Sequence, residues 1–515
     1  MAQNVIKRVV MVALCAVLAL SALAGCTKTT SAPETSTASA VSEQPVTVIS
    51  EGDVKTPKYV FLFIGDGMSY AQVNAAQVFR GNNTSGEVAT KSLNFTQFPY
   101  AGVATTYDST SFCPDSASTA TALSCGIKTH SGVLGLDVDK VTAPQSITEM
   151  MKAAGMKIGI VSNVTINHAT PAAFYAHIAS RNDYYDIALQ MADSGFDYYG
   201  GGSINKARGA DNTRLSAYSI METHGYTIAD TNEEILALNE NSGKVYAVSP
   251  VLQDSGAMPY AMDTQAGDLT LADFVSKGID VLDNDNGFFM MCESGKIDWA
   301  CHANDAMSAI NDVLALEDAI QVALDFAAEH ADETLILVTG DHETGGMTIG
   351  YAATGYNTAF DILNSQKMSY VAFDSLVSSM KKSNPALTFE DVLPVIKENF
   401  GLIAPSDSDA AVEANKPFVL TDYEYAKLEA AFAQSMLPKA ERSADDEAQL
   451  LYGGYDPLSV TLTHIINNKA GIGWTSYAHT GVPVAVYAYG AGAQLFDGSY
   501  DNTDIFKKLV EVCGL

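Results

Sequence analysis

The sequence predicts an α/β fold: a large, mostly parallel central sheet flanked by helices, with a sizeable, mainly helical insertion late in the chain. Three observations carry that prediction. Mainly apolar runs recur at Tyr59–Ile64, Lys157–Val161, Gly287–Cys292, Thr334–Val338 and Val482–Tyr489. Runs of this kind suit strands buried on both faces of a parallel sheet. Helical periodicity lies between them, as at Ile147–Ala154 and Ala306–Ala328. Polar and charged residues follow four of the runs, and in α/β sheets ligands sit at the carboxyl ends of the strands.

The elements follow in chain order. Lys7 and Arg8 precede an apolar run from Val9 to Ala22, which ends in Leu23-Ala24-Gly25-Cys26. The run is shorter than the roughly 20 residues a membrane span needs. A basic start, a short apolar core and small residues at the exit predict a secretory signal over residues 1–25. Its exit resembles that of bacterial lipoproteins. The resemblance implies lipid on Cys26, which would hold an exported protein to the outer face of a bacterial membrane, at the cell surface or in the periplasm. Residues 26–56 are rich in Ser, Thr, Ala, Pro and Val without apolar periodicity, and read as a flexible tether. One folded domain is expected over 57–515.

Composition bounds the partners. Of 515 residues, 47% are hydrophobic and 17% charged, with a net charge of −31. This is globular composition. Its charge repels nucleic acid, which is therefore not an expected partner, and an anionic substrate needs a locally positive site. Cys113, Cys125, Cys292, Cys301 and Cys513 remain after the signal and Cys26 are set aside. Cys292 and Cys301 are close enough in sequence to pair, but spacing does not establish disulfide geometry.

Between His342 and His479 lie about 135 residues with helical patterns such as Tyr370–Lys382 and Tyr423–Phe432 and few strand signals. This stretch, at about 352–470, is read as an insertion between the last two groups of candidate metal ligands.

The chemistry starts at Pro114-Asp115-Ser116, followed by small residues up to Gly126. The pattern predicts a helix beginning near Ser116. A hydroxyl there would sit in the positive end of the helix, which suits both an alkoxide and a bound phosphate. No His adjacent in sequence offers a base, so a metal is the expected means of lowering the hydroxyl pKa. Candidate ligands follow the strands: Asp66 after the first, Glu293, Asp298 and His302 after the run ending at Cys292, and Asp341 and His342 after Thr334–Val338. His479 precedes the last run. Asp298 and His302 are four apart and share a helix face. Mixed imidazole and carboxylate ligands suit zinc, and all-oxygen sets suit magnesium.

Seven motifs in order resemble those of the alkaline phosphatase family: Phe63-Ile64-Gly65-Asp66-Gly67-Met68, Pro114-Asp115-Ser116-Ala117-Ser118, Gly126-Ile127-Lys128-Thr129, His168-Ala169-Thr170-Pro171-Ala172, Glu293 with Asp298 and His302, Thr339-Gly340-Asp341-His342, and His479-Thr480-Gly481. The resemblance implies broad hydrolysis of phosphate monoesters through a phosphoserine on Ser116, giving phosphate and an alcohol. It implies one zinc held by Asp298, His302 and His479. A second zinc would be held by Asp66, Asp341 and His342, with Ser116 in contact. A third ion, usually magnesium, would lie among Asp66, Thr170 and Glu293, beside His168. Arg181 would clamp phosphate oxygens, with Asp115 and Trp299 beside the substrate, and the expected assembly is a homodimer. Expected partners are small phosphorylated molecules. His168 and Trp299 stand where one bacterial pattern has Asp and Lys. An imidazole there opens the third ion to zinc or cobalt. Competing readings are a phosphodiesterase of the same superfamily and a non-catalytic metal- or phosphate-binding lipoprotein. The Cys113–Ser116 segment lacks the spacing and Arg of a sulfatase.

Overall fold

Each predicted apolar run forms a strand, and the longest are buried end to end. The structure is a computed structural model and describes residues 55–515. The predicted signal segment, Cys26 and the tether up to residue 54 lie outside the described residues. In chain order the strands are β1 (Tyr59–Gly65), β2 (Tyr100–Thr105), β3 (Lys157–Ser162), β4 (Tyr198–Gly201), β5 (Tyr226–Ala229), β6 (Lys244–Val248), β7 (Phe288–Ser294), β8 (Thr334–Gly340), β9 (Glu343–Thr344), β10 (Thr348–Ile349), β11 (Ile472–Gly473), β12 (His479–Thr480), β13 (Val484–Gly490) and β14 (Gly498–Asp501). Ten form one sheet in the order β14-β2-β13-β8-β1-β7-β3-β4-β6-β5. All neighbours pair in parallel except β13, which runs antiparallel to both β2 and β8.

Alternation along β1 divides the core. Phe61 and Phe63 enter one apolar cluster, with Phe288 and Ile336, while Val60, Leu62 and Ile64 enter the other, with Phe289 and Leu337. Helices cover both faces, as a parallel sheet requires.

Register positions the chemistry. Gly65 of β1 pairs with Ser294 of β7 and with Gly340 of β8, and Ser162 of β3 pairs with Glu293. Parallel strands ending level with one another deliver Asp66, Glu293 and Asp341 side by side at one sheet edge. Two short ribbons finish the edge: β12 pairs with β9, tying His479 to the turn after His342, and β10 pairs with β11.

Residues 352–470 leave and return through the β10–β11 pair. They form helices at Tyr370–Ser383, Phe389–Phe400, Asp422–Ser435, Asp446–Tyr452 and Pro457–Ala470, with no strand. Phe373, Val392, Ile396, Phe400, Leu428 and Leu462 give them an apolar cluster of their own.

The structure departs from the sequence reading in three places. Within the large sheet β2, β4, β5, β6 and β14 were not expected: β4 to β6 are only four or five residues long, and β2 and β14 lie toward one sheet edge with few buried side chains, so none makes a continuous apolar run. β13 is antiparallel, which an apolar run does not reveal. Cys292 and Cys301 do not pair: both are buried free thiols, as Cys125 is, and Cys113 and Cys513 are also free.

Candidate active site

Ser116 is the first residue of a helix, Ser116–Cys125, whose residues are all buried. Its small Ser, Ala and Thr side chains allow that close packing. Asp115 caps the helix by accepting from the Ser118 N–H at 3.0 Å. Asp108, which the sequence reading passed over, accepts from the hydroxyls of Ser118, Thr110 and Ser131. Burial opposes its charge, but the hydrogen bonds from Ser131 and Thr110 outweigh that and hold the carboxyl below the usual range. The start of the helix is thereby fixed from two sides.

Asp298, His302 and His479 converge. The two Nε2 atoms are 3.0 Å apart, and lie 3.4 and 3.5 Å from Asp298 Oδ1. Behind them, His302 Nδ1 is 2.6 Å from the Tyr477 carbonyl and His479 Nδ1 is 2.5 Å from the Pro114 carbonyl. A carbonyl only accepts, so each Nδ1 carries a proton, and each ring, when neutral, turns a lone pair inward at Nε2. The Thr344 hydroxyl donates to Asp298 Oδ1 at 2.5 Å. For Asp298, burial opposes the charge, but His302, His479 and His342 outweigh it and hold the carboxyl well below its usual range. For His302, burial again opposes, but the Asp298 carboxylate pushes the imidazole up to about 9. The trio attracts positive charge, whether a proton or a metal ion. Asn304, with a φ of 50°, braces it by donating to the carbonyls of Cys301 and Ser476.

A second trio adjoins the first. His342 Nε2 lies 3.3 Å from both Asp66 Oδ1 and Asp341 Oδ2, and 3.2 Å from Ser116 Oγ. The His342 ring stacks on His479 at 3.7 Å. Asp341 is oriented by the N–H groups of Gly67 and His342 and by the Thr119 hydroxyl, one turn along the Ser116 helix. Gly67 turns the chain here with a φ of 73°, and a side chain would meet Thr344 and the Asp298 backbone at 2.8 and 2.9 Å. Only glycine meets both demands.

The third group comprises Asp66, His168 and Glu293, whose ligand atoms lie within 4.8 Å of one another. Thr170 donates to Asp66 Oδ2 at 3.2 Å, and the Ser162 hydroxyl donates to Glu293. Asp66 Oδ1, Glu293 Oε1 and His168 Nδ1 are buried without a hydrogen-bond partner. Burial, then the carboxylates of Asp341, Asp298 and Glu293, raises the Asp66 carboxyl well above its ordinary value. Burial pushes Asp341 up to about 8 and Glu293 up to about 7. Crowded buried carboxylates and inward lone pairs fit divalent cations.

Arg181 donates to Asp115 Oδ2 at 2.9 Å and to His168 Nε2 at 3.2 Å. Burial, then the Arg181 charge, pushes the His168 imidazole down to about 3, so the ring is neutral. A neutral imidazole has one lone pair. Arg181 and a metal ion therefore compete for His168. Trp299 sits edge-on to His168, with ring centroids 5.8 Å apart. The structure thus gathers Asp66, Asp115, Ser116, His168, Thr170, Arg181, Glu293, Asp298, Trp299, Asp341, His342, His302 and His479 in one place. Asp108, Thr119, Thr344 and Asn304 join them as supports that no sequence motif marked.

A cavity of about 350 Å³ opens over Ser116, His168, Arg181, Asp298, Trp299, His302 and His479, and is lined further by Asp254, Ser255, Tyr370 and Tyr455.

The chain is similar over most of its length to known proteins. A profile of the alkaline phosphatase family matches residues 57–207 and 210–515. Alkaline phosphatase 3 of Bacillus subtilis is 30% identical over 471 residues, covering 89% of each chain. The crystal structure of a cold-active alkaline phosphatase from a psychrophilic Shewanella superposes with a TM-score of 0.71 at 28% identity, covering 88% of this chain and 99% of that one. The Thermus thermophilus alkaline phosphatase gives 0.72 at 25% identity, covering 90% and 92%.

Proposed function

The chain belongs to the alkaline phosphatase family and is a phosphatase, and from that premise we propose that it hydrolyses phosphate monoesters of many alcohols through a phosphoserine on Ser116. One observation supports this most: Ser116 Oγ lies 3.2 Å from His342 Nε2, against a buried trio fit for a cation. Zinc suits the mixed ligands Asp298, His302 and His479, and Asp66, Asp341 and His342. Magnesium suits the oxygens of Asp66, Thr170 and Glu293, with zinc or cobalt as alternatives if His168 releases Arg181. When bound, such ions supply Lewis acidity, lowering the pKa of the serine hydroxyl and neutralising charge on the apical oxygens.

The chain's own groups do the rest. The Ser116 hydroxyl gives its proton to water, its Oγ attacks phosphorus and the Oγ–P bond forms, while the bond from phosphorus to the alcohol oxygen breaks in line with it and the departing alkoxide takes a proton from water. The first N–H groups of the Ser116 helix and the fork of Arg181 face the equatorial oxygens, where charge spreads in a loose transition state. Asp115 holds that fork in place. Water then attacks phosphoserine, phosphate leaves, and the Ser116 hydroxyl is restored.

Rates with p-nitrophenyl phosphate and bis-p-nitrophenyl phosphate, before and after chelation, test the reading. Preference for the diester would move the protein to phosphodiesterases, and indifference to chelation would remove the metals from the reaction. Arg181→Ala is expected to lower kcat/KM for the monoester by about 10- to 100-fold, with Arg181→Lys between the two because it keeps the charge but loses the fork. Steady-state kinetics on the three proteins check this.

The reading extends to location and assembly. We infer lipid on Cys26, holding the enzyme to the outer face of a bacterial membrane. Among the described residues no helix is long and apolar enough to cross one. Labelling with radioactive palmitate in a bacterial host should mark the protein and fail in Cys26→Ala, and label retained in the variant would remove the anchor. A homodimer is expected as well, and a monomer mass by light scattering would contradict it.

A further inference from the structure

The cavity is larger than a phosphate group needs, and beyond the candidate ligands and Arg181 three aromatic rings line it together with Asp254 and Ser255. Trp299, Tyr370 and Tyr455 face the same space as Ser116 and Arg181. The ring of Tyr455 meets that of Tyr370 edge-on, with centroids 5.7 Å apart at 85°, and Tyr370 meets Tyr260 at 5.9 Å. The Tyr260 hydroxyl donates to that of Tyr370 at 3.3 Å. Beneath them lies Lys296, buried, its ammonium without a hydrogen-bond partner. It sits 4.0 Å from the Tyr260 ring centroid and 4.7 Å from that of Trp299. A desolvated ammonium between two aromatic rings holds both by cation–π attraction. Tyr260 and Tyr370 are buried, whereas Trp299 and Tyr455 are only partly so. The wall is anchored on its inner side, and Trp299 and Tyr455 keep part of their surface open where they line the cavity.

Two of these rings, Tyr370 and Tyr455, come from the helical stretch between β10 and β11. They line the cavity beside Asp298, His302 and His479, and that position is what the stretch adds to the site. We infer that Trp299, Tyr370 and Tyr455 form the subsite for the leaving alcohol, and that they favour phosphate monoesters whose alcohol carries an aromatic ring, a nucleoside above all. Pre-positioned rings stack a planar group at little entropic cost. This deepens the monoesterase reading and rests on it.

A matched pair of substrates separates stacking from chemistry. Adenosine 5′-monophosphate and ribose 5-phosphate expel the same kind of primary alkoxide, and differ in the base. Stacking on aromatic side chains predicts that kcat/KM favours adenosine 5′-monophosphate by about tenfold or more. Tyr455→Ala should lower that ratio at least about fivefold, and Tyr455→Phe, which keeps the ring, should preserve it. Adenosine alone should inhibit ribose 5-phosphate hydrolysis competitively in the wild type, so the idea stands or falls even if Tyr455→Ala does not fold. Equal kcat/KM for the two substrates, with no inhibition by adenosine, would overturn the subsite while leaving the monoesterase intact. Hydrolysis of neither would overturn both.

Discussion

Ser116→Ala is expected to lower kcat/KM for phosphate monoesters by about three orders of magnitude or more, with no phosphoserine recoverable after acid quench. No neighbouring hydroxyl can take over. The Ser118 hydroxyl is committed to Asp108 and Asp115, and the Thr119 hydroxyl to Asp341 and backbone carbonyls. The three ligand groups are complete without Ser116, so zinc content should stay near that of the wild type. Steady-state rates, metal analysis and mass spectrometry of the quenched peptide check all three points. Residual activity above a tenth of the wild type would mean that water, rather than serine, attacks phosphorus.

Removal of the metals should have the second large effect: loss of activity, recovered on adding zinc, and a new dependence of stability on pH. The sign follows from the buried carboxyls. Each holds a proton in the folded chain that the unfolded chain has lost above about pH 4. Their stabilising contribution disappears as pH rises through the folded values, about 7 for Glu293 and about 8 for Asp341. His302 acts in the same direction, its contribution present below 6.5 and lost as pH rises through about 9. The lowered imidazoles of His168 and His342 act oppositely, but only below their ordinary value of 6.5. Between pH 6.5 and 8 the stripped protein should therefore lose stability, by about 1.4 kcal/mol per pH unit for each extra proton held. Bound cations replace those protons and should flatten the slope. Thermal melts at pH 6.5 and 8, with and without zinc, measure it, and a stripped protein more stable at pH 8 would contradict the account.

The supports of the site show why some of it escaped sequence reading. Thr344 and Asp108 have ordinary neighbours in the chain and matter only because Asp298 and Ser118 fold against them. Lys296, the first residue of a helix, is buried between two rings contributed in part by a distant segment, and nothing in its sequence neighbours marks it.

From the sequence alone came the strands that carry chemistry, the helix at Ser116 and the ligand-bearing turns. These depend on local pattern, because a strand buried on both faces must be continuously apolar and a helix start must be capped. The tertiary structure alone decided the rest. It set the reversed direction of β13, the strands β2, β4 to β6 and β14, and the 3.2 Å approach of His342 to a serine 226 residues away. It also placed an aromatic wall from the late helical stretch over the cavity. Those features depend on parallel register and on packing between distant segments, and neither leaves a mark in the order of neighbouring residues.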